Sequence, residues 1–200
     1  MFNNLRRLIG ITGGIATGKT TVTRYLANTY NIPILDADLY AREAVNPGSP
    51  ILDEIFKRYG DRVKLSDETL NRKQLGEIIF NDSAEKSWLE SKIHPYVRDC
   101  FQLAIERLEN KIIVLAVPLL FEAKMTDLVT EIWVVYCSSQ EQIKRLIERD
   151  KLTREQAIAR IQNQLPIEEK IALADIVLDN SSNLEHLFRQ IDKALAERTK

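Results

Sequence analysis

The chain has 200 residues, 44% of them hydrophobic, and a formal net charge of −1. This length and composition allow one globular domain with a sizeable core, and the near-neutral charge gives no general attraction to nucleic acid or to an anionic membrane. The longest apolar run, residues 112–121, is too short to cross a bilayer. We expect a cytoplasmic protein, a monomer or weak homo-oligomer, whose partner is a small molecule.

Five short apolar runs alternate with helical patterns along the chain. They lie at residues 8–12, 32–36, 112–117, 132–137 and 176–178. Near-continuous apolar character is typical of strands buried on both faces of a parallel sheet, and the alternation indicates helices packed against that sheet. The sequence therefore predicts a three-layer α/β/α fold with a five-stranded parallel sheet.

Three helix starts have capping-box spacing, in which a Ser or Thr is followed three residues later by Gln or Glu. The pairs are Ser139 with Gln142, Thr153 with Gln156, and Ser182 with Glu185. We predict that a helix begins at each of them.

Two connections between strands are longer than a single crossover helix requires. We interpret residues of about 39–109 as a helical substrate-binding insert and residues of about 139–172 as a basic lid, both within a single domain spanning 1–200. The alternative is that both are ordinary scaffold helices with solvated charges. Cys100 and Cys137 lack metal-like spacing and are interpreted as small buried side chains.

The segment GGIATGKT at residues 13–20 matches the phosphate-loop pattern G-x-x-x-x-G-K-[ST], with a strand pattern before it and a helix pattern after it. Small residues let successive N–H groups surround an anion at a helix N-terminus, Lys19 can reach the outer phosphates, and the Thr20 hydroxyl can bind Mg²⁺. The alternative is a fortuitous glycine turn. The expected ATP-binding residues are Gly13, Gly14, Ile15, Ala16, Thr17, Gly18, Lys19, Thr20 and Thr21.

Two other classes of nucleotide-binding protein fit less well. A regulatory GTPase needs Asn-Lys-x-Asp after a late strand, whereas residues 110–113 lack the aspartate and precede a strand; no Asp-x-x-Gly is present either. The G-x-G-x-x-G spacing of NAD sites is also missing. These absences favour a small-molecule kinase over a regulatory switch.

Asp36 and Asp38 follow the second predicted strand. Because the carboxyl ends of parallel strands border the ligand crevice, both carboxylates could meet an acceptor hydroxyl and a hydrated metal. The alternative interpretation is that Asp38 caps a helix. On the lid, Arg145 and Arg149 lie four residues apart on one predicted helix face. We interpret Arg145 as a phosphate clamp, and Arg149 and Arg160 are further candidates for this role.

Several motifs spread over nearly the whole chain resemble those of dephospho-coenzyme A kinases. They are Thr12 to Ile15, the phosphate loop, Asp36-Ala37-Asp38 with Ala41-Arg42, His94-Pro95, Val117 to Glu122, and Ala174-Asp175 with Asn180. The resemblance implies a P-loop kinase of nucleotide-kinase-like architecture that transfers the γ-phosphate of ATP to the ribose 3′-hydroxyl of dephospho-CoA. This reaction gives CoA and ADP in the last step of coenzyme A synthesis.

The resemblance also implies roles for individual residues. Asp38 is the implied base, acting with Lys19 and Arg145, and the implied substrate-binding residues are Thr12, Asp36, Asp38, Arg42, His94, Leu120, Arg149 and Arg160. His94 could instead be a packing or helix-end residue. Kinases for another nucleoside or small alcohol, and a nucleotide-controlled binding protein, remain alternatives.

The sequence departs from the family pattern at Ala16, where many members carry glycine, and at Thr17, where serine is common. No carboxylate follows the third strand closely, because that strand runs into Val117-Pro118-Leu119. Metal ligands beyond Thr20 therefore stay open, with Asp36, Asp38 and Glu122 as candidates.

Overall fold

The computed structural model describes residues 6–197 of the protein. Its sheet has the strand order β2-β3-β1-β4-β5. The strands are β1 (Arg7–Gly13), β2 (Ile34–Asp36), β3 (Ile112–Ala116), β4 (Glu131–Tyr136) and β5 (Ile176–Asp179). The central strand β1 pairs in parallel with β3 and β4, and β4 pairs in parallel with β5. The predicted five-stranded parallel sheet is confirmed.

The helices alternate with these strands and also fill the two long connections. They are α1 (Lys19–Tyr30), α2 (Ala37–Glu43), α3 (Pro50–Tyr59), α4 (Arg72–Asn81), α5 (Ser83–Arg107), α6 (Ser139–Asp150), α7 (Arg154–Gln162), α8 (Ile167–Ala172) and α9 (Leu184–Glu197). Short 3₁₀ turns lie at Gly60–Val63 and Thr126–Leu128. Among the helices of residues 6–197, none is long and apolar enough to span a bilayer.

The chain divides into two compact units. The first contains the sheet and comprises the described residues up to Leu35 and from Leu108 onward, whereas the second is Asp36–Arg107. The helical insert expected at about 39–109 covers nearly the same residues as the second unit. The single-domain assignment stays a prediction.

In the first unit, one face of the sheet packs against α1 and α9. Ile9 and Ile11 of β1 and Trp133 of β4 are completely buried there. They share one apolar cluster with α1 and α9, which includes Leu26 and Leu187. Alternate residues of β1 therefore fix the position of α1, and with it the loop that joins the two elements.

The second unit has an apolar core of its own. This core includes Val45 just after α2, Leu52 and Ile55 of α3, Leu75 of α4 and Leu89 of α5. A buried core inside the connection between β2 and β3 explains why that connection is longer than a crossover helix requires.

Of the three predicted capping boxes, only that of Thr153 and Gln156 is confirmed, with both of its hydrogen bonds formed. Ser138, not Ser139, caps α6 and accepts from the Glu141 N–H. The predicted cap at Ser182 is wrong too, because the Asn183 side chain accepts from the His186 N–H and α9 begins at Leu184. Both errors are shifts of one residue between neighbouring side chains that can each cap a helix.

Candidate active site

The segment between β1 and α1 contains a tight turn. The Thr17 N–H and hydroxyl both donate to the Gly14 carbonyl, at 3.4 and 2.9 Å. Ala16, the third residue of the turn, has φ 61°, and Gly18 has φ 101°. A residue with a side chain adopts this left-handed conformation only at a cost. This cost explains why glycine would suit position 16.

Lys19 begins α1, and its ammonium lies against the loop. It donates to the carbonyls of Gly13 and Gly14 at 3.0 and 2.8 Å. Gly18 precedes the helix and provides no side-chain cap, and the first turn carries no acidic residue. A helix N-terminus of this kind attracts anions. The loop, the helix end and the lysine together fit a nucleotide phosphate.

Asn180, which follows β5, and Arg145 of α6 both contact the loop at Thr17. The Asn180 side chain, only 4% exposed, donates to the Thr17 carbonyl at 2.8 Å. Arg145 donates to the Asn180 carbonyl at 2.9 Å, to the Thr17 carbonyl at 3.4 Å and to Glu141 at 2.9 Å. A Cβ on Gly18 would collide with the Asn180 amide. Because Asn180 follows β5 and α6 follows β4, the parallel sheet delivers both to the edge where the loop leaves β1.

Two glutamines contact the other end of the loop at Ile15. The Gln142 amide donates to the Ile15 carbonyl at 2.7 Å, and the Ile15 N–H donates to the Gln164 side-chain oxygen at 2.8 Å. Gln142 is buried on α6, whereas Gln164 is half-buried between α7 and α8. A Cβ on Gly14 would collide with the Gln142 amide in its present position, so glycine permits this close approach.

Thr20 and Thr21 lie in the first turn of α1, and Thr20 is exposed. Within residues 6–197 there is no group of three or more His, Cys, Asp or Glu side chains that could hold a metal ion. A site built on the Thr20 hydroxyl fits Mg²⁺, because this ion is usually bound by one or two protein oxygens together with substrate phosphates and water. Of the other candidate ligands, the Asp36 carboxylate accepts from the Asp38 N–H and Glu122 is ion-paired.

The predicted lid arginines do not act as one group. Arg149 pairs with Asp150 at 2.7 Å, and Arg160 pairs with the same carboxylate at 2.8 Å. Both arginine side chains are about half exposed, at 57% and 46%. Only Arg145 of the three reaches the phosphate loop here, and the pairing with Asp150 raises the pKa of Arg149.

Glu122 connects the segment after β3 to the predicted lid segment. Its carboxylate accepts from the Leu165 N–H at 3.1 Å and forms an ion pair with Lys170 at 2.8 Å. The Lys170 side chain is completely buried. Burial has the largest single influence and raises the pKa of Glu122, but Lys170 and the backbone donors outweigh it and leave this pKa below its usual value.

In the second unit, a cleft of about 410 Å³ opens beside α2. Asp38, Arg42 and Arg72 line it, together with an apolar set that comprises Ala41, Val45, Leu70, Leu75, Gly76, Ile79, Leu89 and Ile93. Arg72 also donates to the Arg42 carbonyl at 3.2 Å. The helix cap is Asp36 rather than Asp38, so the alternative interpretation of Asp38 as the cap is wrong. The volume and the mixed lining are typical of a site for a small organic ligand.

Three other residues that are expected to contact substrate are buried or half-buried within the protein. The buried Thr12 hydroxyl donates to the Pro118 carbonyl at 3.0 Å, and Leu120 is completely buried in the core. His94 lies half-buried inside α5, so it is not a helix-end residue.

The two cysteines carry no evident chemistry. Cys137 is buried and Cys100 is half-buried, and neither forms a disulfide. Burial is the main cause that raises the pKa of both thiols. Thiols of this kind are protonated near neutral pH and react slowly.

Four residues of the site are not evident from the sequence. Asn180 stands out only as part of a motif and Gln142 only as a capping residue, and neither Gln164 nor Arg72 stands out at all. Their signals were weak, because an uncharged amide or one arginine in a helical segment has many ordinary uses. The parallel topology could have pointed to Asn180, which directly follows β5.

The comparisons with known proteins agree on one family. The profile of the dephospho-CoA kinase family matches residues 7–186. A dephospho-CoA kinase from Trichormus variabilis is 60% identical over 190 residues, which cover 95% of this chain and 97% of the relative.

Two solved structures resemble the chain over nearly its whole length. The protein TT1252 from Thermus thermophilus has a TM-score of 0.84 at 33% identity, covering 98% of this chain and 99% of the other. A dephospho-CoA kinase from Campylobacter jejuni has a TM-score of 0.70 at 30% identity, covering 95% and 96%.

Proposed function

The chain belongs to the dephospho-CoA kinase family, and we propose that it transfers the γ-phosphate of ATP to the ribose 3′-hydroxyl of dephospho-CoA, giving CoA and ADP. The observation that carries this proposal is the loop from Gly13 to Gly18, with the Lys19 ammonium on its carbonyls at the start of α1. Family membership identifies the acceptor, and the loop supplies the machinery for the donor.

The first unit binds the triphosphate through main-chain N–H groups of the loop and of the first turn of α1. Lys19 exchanges the carbonyls of Gly13 and Gly14 for phosphate oxygens when ATP enters. Phosphoryl transfer requires positioning and neutralisation of charge more than covalent participation by the protein. Lys19 provides one fixed positive charge, and Arg145, held by Asn180 and Glu141, provides a second.

Thr20 is the residue that holds Mg²⁺ in this proposal, through its exposed hydroxyl. When bound, the ion would neutralise part of the phosphate charge. A hydroxyl in the first turn of α1 would satisfy the preference of this ion for oxygen ligands.

Asp38 acts on the acceptor in this proposal. It lines the cleft of the second unit, and it orients the 3′-hydroxyl and accepts its proton. Because the transition state is loose, little deprotonation is needed before the phosphorus is attacked. Arg42 and Arg72 suit the diphosphate of dephospho-CoA, and the apolar lining suits its less polar parts.

Two alternatives differ in what they require of the acceptor. A kinase for another nucleoside or small alcohol would use the same loop with another cleft occupant. A nucleotide-controlled binding protein would hydrolyse or hold ATP without a phosphorylated product.

A panel of acceptors separates these functions. The protein is incubated with Mg-ATP and either dephospho-CoA, AMP or shikimate, and the products are identified by mass. We expect CoA from dephospho-CoA and no phosphorylated product from the other two. Phosphorylation of AMP or shikimate at a comparable rate would support the first alternative, and ATP hydrolysis without any acceptor product would support the second.

The compartment and partners that we propose are those that the composition of the chain favours. We propose that the protein works in the cytoplasm without nucleic acid or membrane partners, as a monomer or weak homo-oligomer. The two unpaired cysteines are compatible with a reducing compartment.

A further inference from the structure

Two consecutive peptide groups of the phosphate loop are held by side chains of the lid segment. The Gln164 oxygen binds the N–H of the Gly14–Ile15 peptide, and the Gln142 amide binds the carbonyl of the Ile15–Ala16 peptide. Carbonyl and N–H point in opposite directions across a trans peptide, so a bond at one end also fixes the direction of the other. Gln142 thereby fixes the direction of the Ala16 N–H.

The peptide that Gln142 holds is the central one of the Gly14–Thr17 turn. Rotation of this peptide is what interconverts the two common turn types, and only one of the two requires a positive φ at the third residue. Ala16 has φ 61° and therefore adopts the form that suits glycine. An alanine here favours the other form, in which its N–H points the opposite way.

We infer that Gln142 is a positioning residue for ATP, because it holds the Ile15–Ala16 peptide in the strained orientation that presents the Ala16 N–H to the phosphates. This inference rests on the proposed function, since ATP is the ligand. Gln142 is only 3% exposed and packs where Gly14 lacks a side chain, so it reaches the carbonyl from a fixed position.

Gln164 holds the neighbouring peptide in the same way. It fixes the Gly14 carbonyl in the direction from which it accepts the Lys19 ammonium. Gln164 is itself positioned by the next residue, since the Leu165 N–H is bound by Glu122. The lid segment therefore sets the shape of the phosphate loop at two successive peptides.

Loss of Gln142 should lower the fraction of loops that are competent to bind ATP. The apparent dissociation constant rises in inverse proportion to that fraction. We expect Gln142→Leu to weaken Mg-ATP binding about tenfold, because alanine at position 16 then favours the flipped turn. Ala16→Gly removes this preference, so the double variant should recover most of the lost affinity.

Calorimetric titration with a nonhydrolysable ATP analogue measures these affinities in four proteins: the parent, Gln142→Leu, Ala16→Gly and the double variant. Gln140→Leu on the exposed side of α6 is the matched control and should bind like the parent. Gln142→Met keeps the approximate size of the side chain, removes the donor and adds no charge, and it replaces the leucine variant if that one does not fold.

Recovery by Ala16→Gly is the decisive result, since glycine in place of alanine does not repair a merely damaged core. A folded Gln142 variant that binds the analogue like the parent would overturn the inference, and so would a loss that Ala16→Gly leaves unchanged. Failure of the parent protein itself to bind the analogue would instead count against the proposed function.

Discussion

The side chain of Asn180 donates a hydrogen bond to the carbonyl oxygen of Thr17 across 163 residues of sequence. Asn180 is nearly fully buried, and its main-chain carbonyl accepts a hydrogen bond from the Arg145 guanidinium. A residue after β5 thus joins the phosphate loop to α6. The shape of the loop depends on these outside contacts as well as on its own glycines.

Asn180→Ala should therefore weaken ATP binding and destabilise the protein. We expect KM for ATP to rise several-fold and the free energy of unfolding to fall by about 1–3 kcal/mol, because the Thr17 carbonyl loses its shorter partner in a buried site. Steady-state kinetics and urea denaturation measure the two effects. Asn110→Ala, at an exposed position, is the control, and equal behaviour of the two variants would contradict the role of Asn180.

Arg145→Lys should be damaging even though it keeps the charge. The guanidinium contacts Glu141, Thr17 and Asn180 at once, and a lysine ammonium cannot reproduce that planar set of donors. We expect kcat to fall by at least about tenfold, since one pre-aimed charge near the transferred group is lost. Arg189→Lys, at an exposed position on α9, should leave kcat unchanged. Unchanged turnover in Arg145→Lys would reject its assignment as the phosphate clamp.

Asp38→Asn tests the proposed base. Asparagine keeps the shape of the side chain but cannot accept the hydroxyl proton, so kcat should fall by about 10²–10³ while the affinity for ATP stays nearly intact. Asp99→Asn, exposed on α5, provides a matched control in the same unit. Normal turnover in Asp38→Asn would mean that another group orients the acceptor.

Glu122→Gln should destabilise the protein by about 2–4 kcal/mol at neutral pH, because Lys170 is completely buried and loses its counter-charge. The pKa of Glu122 is lowered on folding, so its contribution is present above the ordinary value of 4.5 and is lost as the pH falls through the lower folded value.

The difference between the parent and Glu122→Gln should consequently shrink on acidification. Urea denaturation at a series of pH values follows this change. Glu185→Gln, from an exposed pair with Arg189, should stay within about 0.5 kcal/mol of the parent throughout. A difference that grows as the pH falls would contradict the direction assigned to the pKa of Glu122.

The sheet and the phosphate loop could be predicted because their signals are local. Each strand lies in a nearly continuous apolar run, and residues 13–20 match the spacing of a phosphate-binding loop. The helix starts were less certain, because Ser138 and Ser139 are equally suited to cap α6 and only backbone conformation selects between them.

The contacts around the loop could not be predicted, because they join distant parts of the chain. Gln142 and Gln164 meet Ile15 across 127 and 149 residues. Arg149 shows the opposite problem. Its charge suggested a phosphate contact, but the neighbouring Asp150 pairs with it.

The origin and position of the phosphate in the product test the proposed reaction most directly. Dephospho-CoA is incubated with the protein and with ATP carrying ¹⁸O at the three nonbridging γ oxygens, and the CoA formed is fragmented in a mass spectrometer. We predict that all of this label appears in a phosphate on the ribose 3′ oxygen. Unlabelled CoA, a phosphate on the 2′ oxygen, or no CoA at all would contradict the proposed reaction.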